Sequence, residues 1–322
     1  MIYIFFFLLS FGLTYIIKQH AIKNSLVAEI TERSSHTVPT PHGGGIAIVI
    51  TWFAGLTYLF YNDTIEHSLY YALMTGVIIS VVSYLDDLFE LSAKIRLITQ
   101  SIVAITGLYF LGGFETLDLF FLQIDNQIIT NVFAFLMIIW FINLYNFLDG
   151  IDGYAGSEAI FLAIAGFLLF GDNHFIVLSV SVLGFLIWNW HKAKIFMGDV
   201  GSTLLGYNIA IFTLYYANQE AMNFWTWIIL FGLFWFDATL TLLRRYRNKE
   251  KLSQAHKKHA YQRLNQSGWA HDKVVKTSIL VNGILLGIVY ISINNLPLGL
   301  LTAFGLLYTI VKTIDRITLK NE

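Results

Sequence analysis

The sequence predicts an all-α polytopic membrane protein, a single membrane domain over residues 1–322 with about eleven transmembrane helices. Composition is the first reason: 56% of the residues are hydrophobic and 13% charged, with a mean hydropathy of +0.63, where a soluble domain carries about 25% charged residues. The second is that apolar runs of roughly 16–20 residues, the length a helix needs to cross hydrocarbon, recur along the whole chain. These runs are apolar all round, which fits helices and excludes the alternating strands of a β-barrel. There is no cysteine, so disulfides and thiolate metal sites are excluded.

The runs are taken in order. The first, 2–17, is no cleavable signal peptide: no Lys or Arg precedes it and no small-residue cleavage site follows, whereas Lys18 and Lys23 lie after it. The run 44–60 follows Pro39-Thr40-Pro41-His42-Gly43-Gly44-Gly45, and 69–85 stops at Asp86-Asp87. Next come 95–111, behind Lys94 and Arg96, and 130–147, which ends among Asn143 and Asn146. Then 157–171, 174–190 and 201–217 are separated by Asp172 and by the stretch Asn189 to Ser202. The run 223–243 leads into Arg244 and Arg245, and 274–293 and 296–312 close the series.

With eleven spans, all 20 Lys and Arg residues fall on one side. The opposite loops hold only acids: Asp63, Glu66, Glu115, Asp118, Asp125, Asp172 and Glu220. The positive-inside rule then puts the N-terminus outside and the C-terminus in the cytoplasm.

The chemistry-bearing residues share the basic side. The stretch Asn143-Leu-Tyr-Asn146-Phe-Leu-Asp149-Gly150-Ile151-Asp152-Gly153 brings a polar group every third residue to the end of an apolar run, where such groups are costly unless used. Asp86 and Asp87 are neighbours, so on a helix their side chains diverge by about 100° and take different tasks, one facing a cavity and one supporting. Asp199 stands in Met197-Gly198-Asp199-Val200-Gly201-Ser202, a tight turn that presents a carboxylate at a helix start. Carboxylate and amide oxygens without thiolates suit a hard cation, Mg²⁺ or Mn²⁺. With Arg96, Arg263 and the histidines, the set reads as divalent metal plus polyphosphate.

Each piece has a plainer reading. An Asp pair at a helix end is commonly solvated interface, a Gly-Asp-x-Gly turn is commonly just a turn, and His256 and His259 in a Lys-rich loop read as a basic face near anionic lipid. His20, His67, His174 and His271 have no evident partners and read as structural. Convergence of so many groups on one membrane side favours a catalytic site.

These motifs, in this order, resemble the polyprenyl-phosphate N-acetylhexosamine-1-phosphate transferases of glycosyltransferase family 4, and the resemblance covers nearly the whole chain. It implies transfer of a HexNAc-1-phosphate from a UDP-sugar to undecaprenyl phosphate with release of UMP, starting O-antigen or another surface polysaccharide. By that resemblance Asp199 and Asn146 hold the metal, and Asp86, with Asp87 beside it, deprotonates or orients the lipid phosphate. Asp149, Gly150, Ile151 and Asp152, with Asn189 and Phe196, surround the nucleotide. Asn143, Arg96, His36, Thr40, His256, His259 and Arg263 bind phosphate or sugar. Asp237 matches a further family aspartate, for which pairing with Arg244 or Arg245 is the competing structural role. The loop His256-Lys-Lys-His259-Ala-Tyr261-Gln262-Arg263 is similar to the branch that uses 6-deoxy-HexNAc donors such as N-acetylfucosamine or N-acetylquinovosamine, with GlcNAc kept open and the muramoyl-pentapeptide donor disfavoured. The partners implied are the donor, the lipid acceptor and the bilayer, with no nucleic acid; a homodimer is left open.

Other classes fit less well. A UbiA-like prenyltransferase needs two Asn/Asp-x-x-x-Asp loops, and a CDP-alcohol phosphotransferase a long Asp-Gly-x-x-Ala-Arg signature; neither is present. A transporter would place ionisable groups at mid-membrane or in paired broken helices, whereas here they sit at span ends.

Overall fold

The computed structural model describes residues 1–24, 27–28, 39–252 and 256–318. His36 lies outside the described residues. In chain order the elements are α1 (Ile2–Lys23), β1 (Val27–Ala28), β2 (Thr40–Pro41), α2 (Gly45–Tyr61), α3 (His67–Met74), α4 (Gly76–Phe89) and α5 (Ala93–Leu111). There follow β3 (Leu117–Asp118), β4 (Gln123–Ile124), α6 (Gln127–Phe147), α7 (Tyr154–Phe170), α8 (Asn173–Asn189) and α9 (Asp199–Gln219). The chain ends in α10 (Asn223–Leu230), α11 (Gly232–Arg247), α12 (Ala260–Gln266), α13 (His271–Ile291) and α14 (Leu296–Thr318). The two antiparallel strand pairs are short: β1 pairs with β2 and β3 with β4.

Helix limits follow local chemistry. Ser92 caps α5 by accepting from the Ile95 N–H, and Asn126 caps α6 by accepting from the Ile128 and Ile129 N–H groups, which satisfies donors that no earlier turn can reach. The Gly112 backbone, at φ +77°, ends α5 in a left-handed turn.

The expectation of eleven membrane spans is corrected. Helices form at all of the expected runs, but among the described residues six are both long and apolar enough to cross a membrane: α1, α3–α4 taken together, α5, α6, α13 and α14. The pair α10–α11 makes a seventh only if counted as one span, and it is bent by 75°. The apolar helices α2, α7 and α8 have 17 residues each, a rise of about 25 Å against a hydrocarbon core of about 30 Å. Helix α9 has the length but not the apolarity, because Asp199, Asn208, Thr213 and Asn218 interrupt it. With that count, the side on which each terminus lies is not fixed by the structure.

Helix α9 is the axis of the bundle. It is buried over nearly its whole length and packs against α4, α6, α2 and α10. Close approach depends on glycine: a Cβ on Gly45 would lie 2.6 Å from the Gly201 Cα, and one on Gly206 would lie 2.6 Å from the Phe141 carbonyl oxygen. At one end of the bundle, β2 and the start of α2 are stitched to the segment before α9. The Phe196 N–H donates to the Pro41 carbonyl at 2.8 Å, and the Gly44 and Gly45 N–H groups donate to the Phe196 and Met197 carbonyls at 2.9 and 2.8 Å. The acidic loops meet at the other end, where the Trp225 indole donates to the Asp118 carbonyl at 2.6 Å and Tyr216 binds Asp172.

Candidate active site

A cavity of about 490 Å³ opens between α4, α5, α6, α9 and α11, with Leu252, His256, His259 and Gln262 completing its lining. Seven of the expected site residues line it: Asp86, Arg96, Asn143, Asn146, Asp199, His256 and His259. Its other wall is apolar, with Ile79, Val82, Leu97, Trp140 and Leu242. One chamber therefore offers charge at one end and hydrocarbon-like surface along its side.

The aspartates at the end of α4 divide. Asp86 is fixed by the Leu91 N–H, at 2.7 Å, and by Arg96 Nη1, at 3.2 Å. Asp87 turns the other way and accepts the Asp199 N–H at 3.3 Å on Oδ1, while its Oδ2 is buried with no hydrogen-bond partner. Gly198, at φ +78°, makes the turn that allows this, since a Cβ there would lie 2.7 Å from Asp87 Oδ2. Asn146 faces the same turn and accepts from the Ser202 hydroxyl at 3.1 Å. Asn143 exchanges hydrogen bonds with the Gln100 amide at 2.8 and 3.3 Å.

Asp149 follows α6 in the connecting loop. Burial, and then the nearby carboxylates of Asp199 and Asp87, push its carboxyl up to about 7. Crowded carboxylates with an orphaned buried oxygen are the arrangement that a cation relieves. The carboxylate and amide oxygens of Asp87, Asp149, Asp199 and Asn146 are of the type a hard divalent ion takes, while the group of three ligand side chains within 4.8 Å of one another among the described residues is Asp152, His191 and His271.

Asp152 does something that the sequence did not suggest. Its Oδ2 lies 2.9 Å from His191 Nδ1, 3.2 Å from His271 Nδ1 and 3.2 Å from the Ala193 N–H. Burial pushes the carboxyl up, but the hydrogen bonds from His271 and His191, with the Ala193 N–H, outweigh it and hold the group at about 2. The three side chains offer ligand atoms within 4.8 Å of one another and could hold a divalent cation. His271, expected to be merely structural, is thus part of a cluster. It stands 119 residues from Asp152, so no spacing rule could pair them; the available signal was a histidine opening a helix on the basic side. Asp152→Asn removes the anion that both imidazoles face and is expected to cost about 1–3 kcal/mol, read as a lower thermal midpoint of the purified protein.

Several expected residues lie outside the cavity. Ile151 is core, and the space beside Gly150 is taken by the Tyr261 hydroxyl, 2.1 Å from where a Cβ would sit. Asn189 uses both ends of its amide, accepting the Gly153 N–H at 2.9 Å and donating to the Ile195 carbonyl at 3.0 Å. Phe196 and Thr40 lie at the seam between β2 and the approach to α9. Arg263 belongs to a separate groove and pairs with Asp315 at 2.7 Å.

At His256, burial, then His259, Arg245 and Lys258, lower the pKa to about 4. One further reading is corrected. Asp237 pairs with neither arginine: both of its oxygens accept the Ala260 N–H at 2.9 Å, and His259 Nδ1 lies at 3.8 Å. It anchors the start of α12, while Arg244 goes to Asp315 and Arg245 to Glu250.

The family model for glycosyl transferase family 4 matches residues 69–217, the part holding Asp86, Asp87, Asn146 and Asp199. A probable undecaprenyl-phosphate N-acetylglucosaminyl 1-phosphate transferase of Bacillus subtilis is 34% identical over 283 residues, covering 84% of this chain and 76% of the relative. The chain belongs to glycosyl transferase family 4. A decaprenyl-phosphate N-acetylglucosaminephosphotransferase of Mycobacterium leprae is 29% identical, covering 80% of this chain and 75% of its own length. An undecaprenyl-phosphate alpha-N-acetylglucosaminyl 1-phosphate transferase of Yersinia pestis is also 29% identical, with 83% and 76% covered. For this family 4 chain, the aligned share of each relative extends well beyond the matched core.

Proposed function

We propose that this protein transfers a HexNAc-1-phosphate from a UDP-sugar to undecaprenyl phosphate, releasing UMP, at the 490 Å³ cavity. The observation that carries this reading is the cavity's two-sided lining: Asp86, Arg96, Asn146 and Asp199 at one end and an apolar wall along the other. A long-chain phosphate can lay its first isoprene units on Leu97, Trp140 and Leu242 while its head group reaches the polar end.

The acceptor's phosphate oxygen attacks the β-phosphorus of the donor, and the bond to the UMP oxygen breaks. Asp86, held by Leu91 and Arg96, orients the acceptor phosphate and takes any proton it carries. Arg96 supplies positive charge close to the reacting oxygens. Asp199 and Asn146, with Asp87 and Asp149, would hold Mg²⁺ or Mn²⁺, which when bound would supply positive charge against the diphosphate and the departing UMP. Asp152, locked between His191 and His271, shapes the loop beside the nucleotide rather than reaching it directly.

The basic loops support placing this end of the bundle in the cytoplasm of a bacterial inner membrane, where UDP-sugars are made. The late loop pointed toward 6-deoxy donors, but the three relatives above are named for N-acetylglucosamine, and GlcNAc is the first donor to try. The test is UMP release by the purified protein in nanodiscs, with UDP-GlcNAc, UDP-N-acetylfucosamine and UDP-N-acetylquinovosamine offered separately. Release that needs both undecaprenyl phosphate and Mg²⁺ is expected for at least one donor. No UMP from any of them, in a folded preparation, would sink the assignment.

A further inference from the structure

A second groove, of about 630 Å³, adjoins the cavity at α12. Residues at and around α12 line both: His259 and Gln262 line the cavity, and Arg263, Gln266 and Ser267 line the groove. The groove is strongly basic. Arg244, Arg245, Lys257, Lys258 and Arg263 line it against two carboxylates, Glu250 and Asp315, a surplus of three positive charges among the described residues.

The carboxylates are shared out among the cations. Asp315 takes Arg244 at 3.0 and 2.7 Å and Arg263 at 2.7 Å. Glu250 takes Arg245 at 3.2 Å and Lys258 at 2.7 Å. Each carboxylate therefore faces two cations, and Arg263 Nε is buried with no hydrogen-bond partner. Two guanidinium forks converging on one carboxylate keep donors directed into a single space, the geometry that phosphate oxygens match.

The position of the groove indicates where that phosphate would come from. Helix α14 is long and apolar enough to cross a membrane, and Asp315 lies in its last turns. Leu301, Phe304 and Tyr308 are exposed on α14 at three- and four-residue spacing, and Asp315 is seven residues beyond Tyr308, about two turns along the same stripe. Lys312 sits over the Tyr308 ring at 5.5 Å. An apolar track on a spanning helix thus leads to a basic pocket at its end, the form in which membrane proteins hold anionic lipid head groups.

We propose that this groove binds the phosphate head group of an anionic bilayer lipid such as phosphatidylglycerol, with an acyl chain along the Leu301–Tyr308 stripe of α14. The site is distinct from the cavity, although buried Arg245 lines both. Arg245 also holds the carbonyls of Lys251 and Leu252 at 2.6 and 3.2 Å, and Leu252 is part of the cavity wall. A head group in the groove would therefore steady that wall through the shared arginine.

The experiment measures lipid retention rather than turnover, so its outcome is independent of the transferase reading. Full-length protein is held in phosphatidylcholine nanodiscs with a minor fraction of phosphatidylglycerol, and bound lipid is counted by native mass spectrometry. Preferential retention of phosphatidylglycerol is expected. The double variant Lys257→Gln/Lys258→Gln, on half-buried and exposed positions, is expected to reduce it by about fivefold for each charge removed. Lys257→Arg/Lys258→Arg is expected to keep it. Equal retention of the two lipids by the wild type, or an unchanged preference in the Gln variant, overturns the proposal. So does added undecaprenyl phosphate displacing phosphatidylglycerol one for one, which would give the groove to the acceptor.

Discussion

Asp199→Asn is expected to lower UMP release by about a thousandfold while the protein stays folded. The substitution is isosteric and spares the backbone N–H that Asp87 accepts. It removes one negative ligand from a set of oxygen donors, and losses of about 10²–10³ follow removal of a single preorganised electrostatic group; losing a metal ligand belongs at the upper end. The same change has an opposite effect on metal-free stability. The Asp199 carboxylate is one of the charges that push Asp149 up to about 7, and neutralising it relieves that repulsion. The metal-free variant should therefore melt at or above the wild-type temperature, and its gain in midpoint on adding Mg²⁺ should shrink. Wild-type turnover in a folded Asp199→Asn protein would remove Asp199 from the metal site. A large drop in the metal-free midpoint would mean that its role is structural.

Gly45→Ala should destabilise the bundle through a single methyl. The added carbon would meet Gly201 Cα and N at 2.6 Å and the Met197 carbonyl oxygen at 2.9 Å, all backbone atoms that no rotamer change can move. Helices α2 and α9 would have to separate, and overpacking of this kind costs about 1–3 kcal/mol. The Gly45 N–H would also pull away from the Met197 carbonyl that it now reaches at 2.8 Å. Because Met197 is two residues before Asp199, activity should fall together with stability. Gly12→Ala is the control: a Cβ there meets nothing within 4 Å, so its midpoint should stay near wild type. Equal midpoints for the two variants would disprove the close contact.

Much of the cavity was legible in the chain because its residues share span ends on the basic side. Asp86, Asn146 and Asp199 come from separate helices, yet each interrupts an apolar run at a place where lipid contact would be prohibitive. Patterning could not reveal which neighbour each polar group prefers. Asp152 was assigned to the nucleotide because of its loop, but His191 and His271 reach it from α8's exit and α13's start. Asn189 was assigned likewise, and its amide is consumed by Gly153 and Ile195. Arg263 lies four residues after His259, yet it lines the neighbouring groove and pairs with Asp315 rather than reaching the cavity. The span count failed for a related reason: mean apolarity does not separate a helix surrounded by protein from one surrounded by lipid. Helices α2, α7 and α8 are short, and α9 tolerates asparagine and threonine because other helices shield it.

That shielding bears on how the protein is built. A segment carrying Asp199, Asn208 and Asn218 would gain little by leaving the translocon into bare lipid. Three of the helices that enclose α9, namely α2, α4 and α6, precede it in the chain, so they emerge from the ribosome first. The nascent bundle can offer α9 a protein-lined slot on arrival, and α10 closes over it afterwards. The order in which the chain is written is thus also a workable order of membrane assembly.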